Sequence, residues 1–235
     1  KHYGAKLKAV PGTLKEAITD AIKTWITNPD YYYVCGSAVS SFPFPKIVQF
    51  AQSIIGREIR EQSMEQEGRL PDMICGCVGG GSNFIGSIHE FLDEPNIKKI
   101  GVEAAETAAL THGTPNIMQG MKSYMLASSD GSKSLGGSSL GAGIQYFGVG
   151  PQHSYLKDQG AVTYTSATDK EILNAYKVVA QTEGISSALE PMAAAAEVLK
   201  QAKGKPKDFI IVLSLCGRGE KDLDTIEEHM GKDFE

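Results

Sequence analysis

Residues 72–94 read DMICGCVGGGSNFIGSIHEFLDE, and their order decides the fold. Met73 to Val78 is a continuous apolar run without alternation, the pattern of a strand buried on both faces of a parallel sheet. Ile85, Ile88, Phe91 and Leu92 then recur at helical spacing. Between the two runs lie Gly79, Gly80 and Gly81. IKKIGVEA at 97–104 supplies a further strand, so the segment is a strand–loop–helix–strand unit. Three consecutive glycines admit two readings. Without side chains, successive N–H groups can turn inward as an anion-binding nest, backed by the positive end of a helix beginning near Asn83, with Ser82 and Asn83 adding side-chain donors. Alternatively, the glycines serve only a tight turn and its packing. The loop lacks the Lys and Ser/Thr of a Walker A motif and is not G-x-G-x-x-G, which leaves a nucleoside triphosphatase or a Rossmann dinucleotide site without support.

Upstream, Thr13 and Glu16 form a capping box, and Leu14, Ala17, Ile18, Ala21, Ile22 and Trp25 continue it as an amphipathic helix. YYYVCGS at 31–37 has strand composition, and Pro43 and Pro45 break the chain into a turn. Ile47, Phe50, Ile54, Ile55 and Ile59 predict one long helix that stops at Gly68. Downstream, from about Ala104 to Gln152, periodicity gives way to Gly, Ser, Thr and Pro, which reads as loops around a site. Order returns with a strand over AVTYT at 161–165, a capping box at Thr168 and Glu171, a helix to Gly184, a helix over 193–202 and a strand over DFIIVLSL at 208–215. This alternation predicts an α/β fold, a mainly parallel twisted sheet with helices on both faces. Ligands of such sheets bind at the carboxyl ends of the strands, where CVGGGSN and LCGRGEKD both lie, so the two turns are expected to converge on one ligand.

The 235 residues are 41% apolar and 22% charged, enough for one substantial core or two small ones sharing a cleft. A net charge of -5 with dispersed Lys and Arg argues against a nucleic-acid partner. No apolar run approaches the roughly 20 residues that span a bilayer, and the first residues carry no signal-peptide core, so no membrane partner and a cytoplasmic location are expected. Cys35, Cys75, Cys77 and Cys216 show no metal-ligand spacing, and reduced thiols without a metal cluster are expected.

EGRLPD, CVGGGSNFIGS, IGVEA, VGPQHSYL, EGISSALE and LCGRGEKDL occur in that order, within a resemblance that runs from about residue 4 to residue 225. Together they resemble the tryptophan synthase β-chain family, pyridoxal-phosphate enzymes of fold type II. The resemblance implies the fold-type-II architecture and a β-replacement that joins L-serine and indole to give L-tryptophan and water. It makes Gly79, Gly80, Gly81, Ser82 and Asn83 the cradle of the cofactor phosphate, in agreement with the nest reading. It places Glu190 near the pyridine ring. It also puts Cys216 where the family has a serine facing the pyridine nitrogen; on chemistry alone a small buried hydrophobe serves equally. Backbone carbonyls of Gly79, Tyr146 and Gly148 correspond to the family's monovalent-cation site, for Na or K. Lys15 matches a lysine that pairs with the α chain, although solvation is the usual fate of a helix lysine. A β-chain homodimer is implied as well. His153 reads as a structural histidine in a turn, with no catalytic role.

The sequence departs from the family in several places. The lysine that bonds the cofactor belongs to an H-K-x-N-N context and the proton-transferring glutamate to G-A-G-Q-H-G, and neither string occurs. With Lys1 at the start and GAKLKAV resembling mid-element sequence, the expectation is a fold incomplete at its N-terminus: 1–45 a remnant of the communication domain, 46–235 the phosphate-binding domain, and no catalytic residue on this chain. Gln145 replaces an aspartate that helps close the site, Pro191-Met192 replaces a Ser-His pair, and SSF at 40–42 replaces a Gly-Pro context. Two alternatives stay open. One is a catalytically dead, truncated phosphate- or partner-binding homologue; the other is a different fold-type-II enzyme acting on serine or threonine.

Overall fold

The computed structural model describes residues 3–34, 36–128 and 135–231. The chain divides into two compact units, Lys1–Cys35 and Gly36–Glu235.

In the first unit, α1 (Leu14–Thr27) begins where the capping box places it. The Glu16 carboxylate accepts the Thr13 N–H at 2.8 Å, and the Thr13 side chain accepts the Lys15 N–H at 3.3 Å. Trp25 stacks on Tyr33 with ring centroids 5.6 Å apart. The expected strand over 31–37 does not form among the described residues. Strand propensity reflects packing on a pleated surface, and Tyr32 and Val34 are 86% and 85% exposed.

The second unit runs α2 (Phe44–Gln52), α3 (Ile54–Glu67), β1 (Met73–Cys77), α4 (Ser82–Ile88), β2 (Lys98–Ala104), α5 (Ala109–His112), β3 (Thr114–Met118) and β4 (Met121–Met125). It continues through α6 (Pro151–Asp158), β5 (Thr163–Ala167), α7 (Asp169–Glu183), α8 (Leu189–Gln201), β6 (Ile211–Ser214) and α9 (Leu223–Met230). Four strands form one sheet in the order β5-β2-β1-β6, every neighbouring pair parallel. All five residues of β1 are buried, as the unbroken apolar run requires. Met73, Cys75 and Cys77 face α7 and α8, sharing a core with Ile172, Leu189 and Met192. Ile74 and Val78 face α4 and pack with Phe84, Ile85 and Ile88. The register partners Gly76 and Gly101 make room for Phe84, because a Cβ on Gly76 would lie 2.7 Å from its ring and one on Gly101 2.9 Å.

Two expectations change here. The single helix over 47–67 is two helices that meet at Ser53, whose hydroxyl donates to the Phe50 carbonyl at 2.8 Å. Gly56 and Gly86 allow this pair to cross α4 closely, a Cβ on Gly56 falling 2.8 Å from the Gly86 carbonyl. The stretch 104–152 is not all loop: β3 and β4 form an antiparallel hairpin closed by Gln119 and Gly120 at φ 47° and 75°. Two positive φ values are the signature of a tight hairpin turn, but glutamine seldom supplies one.

Among the described residues, no helix is long and apolar enough to cross a membrane, and no group of three metal-ligating side chains occurs.

Candidate functional site

Strand β1 leads by α4 to β2 on one side, while β6 lies on the other side of β1. The point where the winding reverses is where an open parallel sheet leaves a crevice at its carboxyl edge. Residues 78–81 leave β1 there and residues 215–217 leave β6, so two turns far apart in sequence become neighbours. They border a cleft of about 260 Å³ lined by Cys77, Gly79–Asn83, Gly143, Ile144, Glu190, Cys216, Gly217 and Lys221.

The glycine loop is closely packed on several sides. A Cβ on Gly79 would lie 2.8 Å from the Gly143 carbonyl and one on Gly80 2.8 Å from the Ser37 hydroxyl. Gly81 has φ 95°, and a Cβ there would overlap the imidazole of His153. The Gly81 carbonyl can only accept, so the 2.7 Å contact to His153 fixes the proton on Nε2. Nδ1 must then accept from the Tyr164 hydroxyl at 2.8 Å. His153 is fully buried on the ring of Phe84, and burial pushes its imidazole down to about 4 against the hydrogen bond to Gly81. A neutral histidine is thus a strut behind the loop, in the first turn of α6.

The face of the loop toward the cleft is polar and unsatisfied. Among the described residues, the N–H groups of residues 79–83 have no protein acceptor. The Asn83 amide oxygen accepts from the Ser214 hydroxyl at 3.3 Å, while its Nδ2 is buried without a partner. Across the cleft, Glu190 Oε1 accepts the Gly143 N–H at 2.6 Å and the Lys221 ammonium at 2.9 Å. Glu190 Oε2 is buried without a partner. Burial works against the Lys221 charge, but Asp222 and Glu190 outweigh it and hold the ammonium above its ordinary value. Asp222 in turn accepts the Leu189 N–H at 2.9 Å, which fixes the start of α8. Buried orphan donors and acceptors cost about 1–3 kcal/mol each, so their concentration in one cleft points to a ligand that supplies the partners.

At the floor, the sulfurs of Cys77 and Cys216 lie 3.6 Å apart. Hydrogen bonding from Cys77 lowers the Cys216 thiol, whereas the same contact and burial raise that of Cys77. Cys75 donates instead to the Ala194 carbonyl, and burial pushes it up to about 12. Cys35 lies outside the described residues.

The fold therefore gathers Gly79, Gly80, Gly81, Ser82, Asn83, Glu190 and Cys216 into one cleft. Of the carbonyl trio, only Gly79 lines it. The Tyr146 hydroxyl accepts from Gln119 Nε2 at 3.0 Å, and Gly148 is bridged to Met125. Lys15 belongs to the first unit. Gln145 does not line the cleft; its amide donates to the Gly137 carbonyl at 3.3 Å. Sequence reasoning missed Gly143, Ile144, Gly217 and Lys221. The motif LCGRGEKDL contained two of these, and a cation two residues after a glycine turn at a strand end was the available signal.

Comparison with known proteins follows the same lines. Residues 1–217 match the family described as pyridoxal-phosphate dependent enzyme. The chain is 46% identical over 243 aligned positions to the tryptophan synthase beta chain of Allorhizobium ampelinum, covering 98% of this chain and 60% of that one. It is 45% identical over 234 positions to the tryptophan synthase beta chain of Cereibacter sphaeroides, covering 95% and 57%. The chain thus spans about three fifths of the length of these relatives. Among solved structures, a point mutant of O-ureido-L-serine synthase with O-ureido-L-serine bound superposes with a TM-score of 0.66 at 16% identity, covering 97% of this chain and 62% of that one. At that identity the likeness is one of fold.

Proposed function

Since the chain belongs to the family of pyridoxal-phosphate dependent enzymes, we propose that its cleft holds pyridoxal 5′-phosphate and that the whole protein acts as a tryptophan synthase β chain. The substrates are then L-serine and indole, and the products L-tryptophan and water. The observation that carries this reading is the pairing of unmet donors along residues 79–83 and at Asn83 Nδ2 with the unmet acceptor Glu190 Oε2, in one cleft at the sheet's switch point.

The residues fit such a group. The N–H groups of Gly79, Gly80, Gly81 and Ser82 and the Asn83 amide would hold the phosphate. Cys216 would face the pyridine ring with its sulfur, and Glu190, held by Lys221 and the Gly143 N–H, would stand beside it. When bound, the cofactor supplies the electron sink for chemistry at the amino-acid carbons. The residues of this chain bind and orient. None of its lysines lies in the H-K-x-N-N context of the family's bond-forming lysine, so we assign that role to no residue here. The reading extends to a Na or K ion on the Gly79, Tyr146 and Gly148 carbonyls, an α chain met at Lys15, a β-chain homodimer, and work in the cytoplasm.

The test is Asn83→Asp. The change keeps the oxygen that serves Ser214, removes the orphan donor, and faces the phosphate with a carboxylate. Losing a hydrogen bond to a charged group costs about 1.5–3 kcal/mol, and added repulsion brings the expected loss of affinity to about 100-fold. Titration of the chain with pyridoxal 5′-phosphate, followed by phosphorus NMR, reads it directly, with unphosphorylated pyridoxal as the control. Equal affinity of the two proteins would sink the assignment.

A further inference from the structure

Cys77 ends β1, and Cys216 stands two residues beyond the end of β6, on a strand whose register with β1 closes at Gly76 and Ser214. Although 139 residues apart in sequence, their sulfurs are 3.6 Å apart and both line the cleft. Cys77 is buried, whereas Cys216 is partly exposed. We propose that Cys77 and Cys216 are a dithiol modification site at the cleft floor, which hydrogen peroxide converts into an intramolecular disulfide.

The distance asks little of the fold. A disulfide is about 2.05 Å long, so the sulfurs must close by about 1.5 Å, within reach of side-chain rotation and a small shift in the turn after β6. The order of events follows from access and acidity. Cys216 faces the cleft, and the contact with Cys77 lowers its thiol, favouring thiolate on Cys216. The Cys216 thiolate attacks one peroxide oxygen. The O–O bond breaks, hydroxide leaves and takes up a proton as water, and the sulfur becomes a sulfenic acid. The Cys77 sulfur then attacks that sulfur and gives up its proton; the S–O bond breaks, a second water leaves, and the S–S bond forms. Two thiols are oxidised by two electrons and one peroxide is reduced to two waters. Cys75 points to the same face but is fully buried and bonded to the Ala194 carbonyl, so it is not the resolving thiol. The product ties β6 to β1 at the floor of the cleft and removes the thiol hydrogen from the cleft wall.

The inference stands on the chain without any cofactor and is tested that way. The chain is treated with hydrogen peroxide, denatured in an alkylating agent, and mapped by mass spectrometry. The expected result is the loss of two alkylatable thiols together with a peptide joining Cys77 to Cys216, both reversed by dithiothreitol. In Cys77→Ser the link is lost, and Cys216 accumulates as a sulfenic acid that dimedone traps. A link through Cys75 or Cys35, a cross-link between two chains, or four thiols still alkylatable in a chain that melts cooperatively overturns the proposal. Should Cys77→Ser fail to fold, the map of the unsubstituted chain decides alone.

Discussion

Replacing His153 by glutamine should remove a specific part of the protein's sensitivity to acid. In the fold the imidazole is neutral, donating from Nε2 to Gly81 and accepting at Nδ1 from Tyr164, with its proton affinity pushed down to about 4. In the unfolded chain a histidine titrates near 6.5, so between these values the unfolded state binds a proton that the folded state refuses. Stability supplied by this group is fully present above about 6.5 and is lost as pH falls toward 4, with a slope of about 1.4 kcal/mol per pH unit. From about pH 8 to about pH 5 the loss comes to about 2 kcal/mol. The wild-type profile alone conceals it, because Glu103 works in the opposite direction. Burial pushes that carboxyl up to about 7 against the hydrogen bonds it accepts from Leu110 and Thr111. Glutamine at 153 can keep a donor toward Gly81 and an acceptor toward Tyr164 but does not titrate. Urea denaturation of both proteins at the two pH values therefore isolates the effect: wild type should lose about 2 kcal/mol more than His153→Gln on acidification. Parallel profiles would refute the reasoning, as would an imidazole proton NMR titration of the native chain with its midpoint near 6.5.

Glu103→Gln tests the opposing group. The folded state keeps a proton between about 4.5 and 7 that the unfolded state has released, so wild type should lose about 2.5 kcal/mol relative to the variant as pH rises from about 5 to about 8. A flat difference would mean that the three donated hydrogen bonds hold the carboxylate ionised throughout. Gly81→Ala combines a left-handed backbone with overlap on the buried His153 ring. Strain and overpacking together should cost about 3 kcal/mol or more, read as a lower urea midpoint at unchanged slope; a loss below about 1 kcal/mol would show that the strut behind the loop yields easily.

What the sequence disclosed, and what it withheld, follows from the range of each interaction. Strand β1 was legible because five consecutive buried residues leave no polar position to confuse the period. The boxes at Thr13 with Glu16 and Thr168 with Glu171 close within a single turn of helix, so three-residue spacing was enough to place both helix starts. The loop at 79–81 was readable as a motif, yet its two readings turn out to be compatible. The missing side chains are demanded by Gly143, Ser37 and His153, while among the described residues the loop's N–H groups go unmet. Non-local features stayed hidden. Lys221 is an ordinary lysine until α8 brings Glu190 to it, and His153 is an ordinary histidine until Gly81 arrives from 72 residues away. The hairpin at 114–125 was missed because Gln119 occupies a conformation its side chain disfavours. The strand expected at 31–37 does not form among the described residues, where Tyr32 and Val34 stay exposed instead of packing on a sheet.

The position of β6 has a consequence for how the site comes into being. Among the described residues this four-residue strand is the last of the sheet in sequence, and its entry is stapled by Asp72, whose carboxylate accepts the Ile210 N–H at 2.7 Å while pairing with Arg69. The part of the cleft wall formed by Cys216, Gly217 and Lys221 follows directly on it. The glycine loop after β1 and the glycine turn after β6 meet only once the two strands pair, so recognition waits on that pairing, and whatever occupies the cleft acts as a clasp between them.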